Sequence, residues 1–173
     1  MLEAAILVIF PFCMLHAALS DMVSMTIANR VSLLLTGAFV VLAPLTGMDL
    51  ANFGWHLAAG GLVLAVTFAL FAAGGMGGGD AKLLASTALW MGFSFQLLQY
   101  LVYGAMLGGM LTLAILYFRK SPVSWFAGEN LLLRHFADQK AGVPYGVALG
   151  AAGLIVYPET ALMQWAFERL SGF

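Results

Sequence analysis

The chain has 173 residues, 62% of them hydrophobic and only 9% charged, with a formal net charge of −1. A soluble domain carries about 25% charged residues, so this composition excludes an ordinary soluble enzyme and fits a polytopic membrane protein. The near-neutral balance gives no electrostatic footprint for nucleic acid, and the single cysteine, Cys13, excludes an internal disulfide or a paired-cysteine zinc site.

A membrane-crossing helix needs roughly 20 mostly apolar residues. In chain order, residues 2–19, 31–50, 53–73, 96–118 and 143–165 meet that length, and residues 81–93 form a shorter apolar segment. The N-terminal stretch MLEAAILVIF lacks the basic region of a cleaved signal and reads as a permanent span. Pro11 and Pro44 fall inside the first two segments, where neighbouring helices tolerate a bend. The expected fold class is an all-α polytopic membrane protein, one domain over residues 1–173 with about six transmembrane helices.

Lysine and arginine favour the cytoplasmic side of a membrane. With the N-terminus outside, the inner loops hold Arg30, Lys82, Arg119, Lys120, Arg134 and Lys140, and only Arg169 falls outside. Asp21 follows the first span and Asp80 precedes the fourth, so both land on the inner face. Asp49, Glu3, Glu159 and Glu168 lie towards the outer side, and Glu129 and Asp138 sit in the polar inner loop. Asp21 and Asp80 alone adjoin apolar spans on one side without belonging to a polar loop.

Two such carboxyls suit peptide hydrolysis, which needs a base to activate water and an acid to protonate the amide. Neighbouring like charges cannot both ionise easily, so one proton is shared across the pair. Asp80 follows the glycine run of GGMGGGDAKLLA (residues 74–85). Gly77, Gly78 and Gly79 leave room for positive φ and for close approach of an extended peptide. The purely structural alternative makes the glycines a hinge and Asp80 the N-cap of the next helix.

The remaining polar residues have plainer expectations. Lys82, near the same face, is a supporting residue that holds a carboxylate, meets the backbone of a bound peptide, or snorkels to the interface. His16 is expected to be satisfied inside the bundle. The three histidines, His16, His56 and His135, are dispersed, so no metal centre is expected. Residues 119–142, including SWFAGENLLLRHFADQK, read as a cytoplasmic amphipathic loop that anchors at the interface, borders the substrate groove or contacts anionic lipid. Gly104, Gly108 and Gly109 are expected to permit close helix packing.

The motif Gly77-Gly78-Gly79-Asp80 in GGMGGGDAKLLA resembles the GxGD motif of type IV prepilin peptidases, aspartic proteases of the bacterial inner membrane. Asp21 in ALSDMVSMTIANRVS occupies the place of that family's second aspartate, with Ala28 where a proline is usual. Gly142 to Ala148, GVPYGVA, resembles its closing PYG segment. Presenilin-like GxGD enzymes match less well, since Ser20 rather than tyrosine precedes Asp21.

The resemblance implies Asp21 and Asp80 as the catalytic pair, without cofactor or metal. It implies cleavage after a glycine of the short leader of a prepilin, at the cytoplasmic face. The lack of a cytoplasmic extension with paired CxxC motifs is similar to the short, Flp or tight-adherence form, and argues against N-methyltransferase activity. Expected partners are the prepilin, membrane lipid and pilus-assembly proteins, with no nucleic acid. The competing expectation is a non-catalytic component or ion-conducting transporter of a pilus assembly. A proton path needs acids through the outer half, where only Asp49 and the terminal glutamates are available.

Overall fold

A computed structural model of the chain describes residues 1–121 and 142–172. Among them are seven α-helices and no strand. In order, α1 is Leu2–Ser24, α2 Asn29–Leu45, α3 Leu50–Ala72, α4 Gly78–Met91, α5 Phe95–Lys120, α6 Tyr145–Val156 and α7 Ala161–Ser171, with a 3-10 turn at Tyr157–Glu159.

α1 and α3 have 23 residues and α5 has 26. At 1.5 Å per residue these exceed the roughly 30 Å hydrocarbon core. All three are apolar enough to cross it. Their ends follow local chemistry: α1 stops where Met25 turns left-handed at φ 53°, Asp49 caps α3 through Asn52 N–H, and Ser94 caps α5 through Leu97 N–H. α1 runs through Pro11 without interruption. The protein is a multi-pass, all-α membrane protein.

The apolar run 143–165, expected as one span, is two helices meeting at 50°. Pro158 lies in the turn between them. Proline cannot donate a helical hydrogen bond and crowds the carbonyl four residues earlier, which ends α6. The short segment expected at 81–93 is α4, with 14 residues. It reaches only about 21 Å. Ala81 and every residue from Leu83 to Met91 are buried, because α3 covers one side and α2 and α6 the others.

The far end of α4 is fixed by aromatic packing. Phe10 stacks on Tyr157 at 4.0 Å between ring centroids, and Trp90 meets Phe10 and Tyr157 at 5.4 and 5.9 Å. Trp90 donates to the Leu35 carbonyl at 3.0 Å, and the Tyr157 hydroxyl to the Ile6 carbonyl at 2.7 Å. These buried donors are satisfied, so the cluster ties α1, α2, α4 and the 3-10 turn without a polar penalty. Ten residues back, about 15 Å along the helix, the same rigid rod carries Asp80.

Candidate active site

Asp21 sits in the last turn of α1, 6% exposed. Its Oδ2 accepts the backbone N–H of Gly146 at 2.7 Å. Pro144 is the N-cap of α6, so Gly146 lies in the first turn, where N–H groups have no partner within the helix. The N-terminus of α6 thus presents a donor and the positive end of its dipole to Asp21. A Cβ on Gly146 would lie 2.9 Å from both Cβ and Oδ2 of Asp21, so the approach requires glycine.

Asp80 is the third residue of α4, and the N-cap is Gly77. The expectation of Asp80 as the cap itself is therefore corrected. The extended Gly77 backbone (φ −70°) occupies that role, and the Asp80 carboxylate folds back over it, leaving 2.8 Å to a Cβ there. Burial first, and then the negative charge of Asp21, hold the Asp80 carboxyl up at about 6. The two acids lie 59 positions apart in sequence and within each other's electrostatic reach.

The glycines before Asp80 act by close packing rather than by positive φ. The left-handed glycine in this stretch is Gly74, at φ +76°. The space above Gly79 is taken by Ile27, whose Cβ would stand 3.2 Å from a Gly79 Cβ. Gly78 faces the Phe71 ring, 3.2 Å from a Cβ. Ile27 also packs over Gly146, its Cδ1 2.8 Å from a Cβ there. One side chain is thus wedged between the residue preceding Asp80 and the residue that holds Asp21.

Lys82 is exposed and donates to Oδ1 of Asn29 at 2.9 Å. It binds neither aspartate; it ties the start of α2, and with it the 25–28 loop, to α4. His16, expected inside the bundle, is exposed, with its ring 6.3 Å from Phe12 on the outside of α1. His56 is the enclosed histidine, 9% exposed, with Nδ1 2.7 Å from the Leu89 carbonyl. Gly104 packs on Leu149 and Gly108 on the Tyr145 ring as expected of small residues, whereas Gly109 has open space around it. The amphipathic segment expected over 119–142 lies, from 122 to 141, outside the described residues. At its edges Arg119 donates to the Gly142 carbonyl at 3.0 Å.

Two tyrosines complete the surroundings of Asp80: Tyr145 was visible in sequence only as part of GVPYGVA, and Tyr100 was not singled out. The Asp80 charge acts on the hydroxyls of Tyr145 and Tyr100. Tyr100 is fully buried, and its hydroxyl makes no hydrogen bond of good geometry, the Thr87 hydroxyl being its side-chain neighbour. The adjacent Thr87 directs its proton to the Leu83 carbonyl at 2.8 Å. Gly146 was visible only as part of GVPYG. Pro144 signals a helix start, but nothing in sequence says which acid that start faces.

Among the described residues no group of three or more His, Cys, Asp or Glu side chains could hold a metal ion. The chemistry available is that of two carboxyls, one accepting a backbone N–H and one disposed to keep its proton near pH 6. Such a pair can polarise water and protonate a carbonyl oxygen. No curated protein and no solved structure gives a match. The model of the type IV leader peptidase family matches residues 8–126, a stretch that includes both aspartates.

Proposed function

From the premise that the chain belongs to the type IV leader peptidase family, we propose that it is a membrane aspartic endopeptidase that removes the short leader of Flp-like type IV prepilins. Cleavage follows a glycine, and Asp21 and Asp80 activate the attacking water. One observation carries the assignment: the Gly146 N–H holds Asp21 where its charge reaches a protonatable Asp80. Arg30, Lys82, Arg119 and Lys120 lie in the helix-end turns on the side of the two acids, whereas Arg169 lies in the last turn of α7. The positive-inside rule makes the acid-bearing end cytoplasmic, and the bacterial inner membrane is the proposed location.

Ionised Asp21 takes a proton from water, and the water oxygen bonds to the scissile carbonyl carbon. Protonated Asp80 gives its proton to the carbonyl oxygen, producing a neutral gem-diol. As the C–N bond breaks, one diol hydroxyl returns a proton to Asp80. Asp21 delivers its proton to the leaving nitrogen. Both carboxyls end as they began, and the chemistry needs no other co-reactant.

The test is co-expression with a prepilin carrying a basic leader, a glycine at the junction and an apolar helix. Asp21→Asn and Asp80→Asn should each slow leader removal by about 10²- to 10⁴-fold, the usual worth of a general acid or base, with membrane insertion unchanged. Full cleavage by either variant refutes the pairing.

A further inference from the structure

α3 packs chiefly on α4, and α5 chiefly on α6, so the two long helices stand apart on either side of α4. Between them lies a groove of about 370 Å³. Leu62, Val66 and Leu70 form its α3 wall at helical spacing, and Leu101 and Ala105 its α5 wall. All five are exposed. Thr67 also lines the groove, but its hydroxyl donates to the Val63 carbonyl at 2.7 Å and offers nothing to an occupant.

Both walls belong to helices long and apolar enough to span a membrane, so the groove opens towards hydrocarbon. Its lining continues to Met76 and Tyr145. Met76 immediately precedes the Gly77–Asp80 run, and Tyr145 feels the Asp80 charge and precedes the glycine that holds Asp21. The groove therefore reaches the chain neighbours of both acid-bearing segments, Met76 ahead of the glycine run and Tyr145 beside Gly146.

We propose, on the reading of the chain as a leader peptidase, that this groove docks the apolar helix of the protein substrate. Leu62 to Leu70 covers about 12 Å of rise, matching one helix face of i, i+4 and i+7 side chains. Between helices in lipid, apolar character supplies no drive. Shape fit and small residues do, and Gly104 and Ala105 are the small residues on the α5 wall. A helix seated there brings the peptide just beyond its end to Asp80. An acyl chain can fill the same apolar space but has no segment to deliver to the acids, which is why the substrate helix is the chosen occupant.

Crosslinking tests the occupant directly. In an Asp80→Asn, Cys13→Ala background, Leu101→Cys is paired in membranes with a single-span probe. The probe carries a basic leader, a junction glycine and one cysteine in its apolar helix. The disulfide should form with Leu101→Cys and not with Val40→Cys, on the exposed side of α2. Equal crosslinking at both, no crosslink at Leu101→Cys, or pairing only between two copies of the chain overturns the proposal.

Kinetics separate this proposal from the protease reading. Ala105→Trp should lower kcat/KM for the full probe by about ten-fold, mainly through KM. Cleavage of a peptide containing only the leader and junction should stay at the wild-type rate. Unchanged cleavage of the full probe overturns the groove while leaving the peptidase intact. Cleavage of both substrates by Asp80→Asn overturns the peptidase reading instead.

Discussion

The backbone N–H of Gly146 and the Oδ2 of Asp21 meet at 2.7 Å across 125 positions of sequence. The contact closes the fold, because α6 can present its N-terminus to α1 only if nothing projects from Gly146. Gly146→Ala inserts a Cβ 2.8 Å from Ile27 Cδ1 and 2.9 Å from the Asp21 carboxylate. The Ile27 tip is flexible and can move, but the Asp21 Cβ, fixed to the backbone of α1, cannot move cheaply. The expected outcome is a loss of leader cleavage of about 10²-fold, comparable to removing a catalytic carboxyl, with normal amounts of protein in the membrane. Cleavage assays on purified, quantified protein check this; near wild-type activity would show that the Gly146 donor is dispensable.

Lys82 is the counter-example. Its ammonium is exposed and engaged with Asn29 rather than with either acid. Lys82→Ala should therefore keep kcat within about three-fold, since exposed polar pairs are worth only about 0.2–1 kcal/mol. A fall as deep as that of Asp80→Asn, measured under the same conditions, would mean that Lys82 meets the substrate after all.

Asp80 predicts a pH dependence of definite sign. Burial and the Asp21 charge both penalise its ionised form and raise its pKa to about 6. In its proposed role as the acid that protonates the scissile carbonyl, it must carry its proton. The kcat/KM for a leader–junction peptide should therefore fall above about pH 6, approaching ten-fold per unit. The same shift acts on folding. Its stabilising contribution is fully present below the unfolded pKa near 4 and is lost as pH rises through the folded value near 6. Thermal unfolding in detergent should thus show a higher midpoint at pH 4 than at pH 7 from this group, and Asp80→Asn should remove that part of the difference. An alkaline limb unmoved from that of an ordinary exposed carboxylate would refute the assignment.

What sequence conveys here follows from which forces are local. The apolar lengths and the skewed distribution of Lys and Arg depend only on composition along the chain, so they predicted an all-α polytopic protein. They also put Asp21 and Asp80 at one end. Pro158 was equally local, yet the apolar run around it hid the break between α6 and α7. The site's inner scaffold is not local at all. A Gly146 amide carries no side-chain signature, and Ile27 acquires its wedge position only when Gly79 and Gly146 converge on it. Hydropathy also cannot tell which side of an apolar helix faces out. His16 was therefore expected inside and is found on the surface of α1, while the enclosed imidazole is that of His56.

Two buried tyrosines separate a satisfied hydroxyl from an orphaned one. Both Tyr100 and Tyr157 are almost wholly enclosed. The Tyr157 hydroxyl donates to the Ile6 carbonyl at 2.7 Å, and the Tyr100 hydroxyl, beside that of Thr87, makes no hydrogen bond of comparable geometry among the described residues. Removing the first leaves the Ile6 carbonyl without that donor, so Tyr157→Phe should cost about 0.5–1.5 kcal/mol, the net worth of a typical hydrogen bond. Tyr100→Phe removes a group that was desolvated without compensation, so stability should hold or rise by up to about 2 kcal/mol. Unfolding midpoints of the two variants in the same detergent give the comparison. A destabilised Tyr100→Phe would mean that its hydroxyl does have a partner. Thr87, whose hydroxyl is the side-chain hydrogen-bonding neighbour of Tyr100, would then be the first partner to test by a double-mutant cycle.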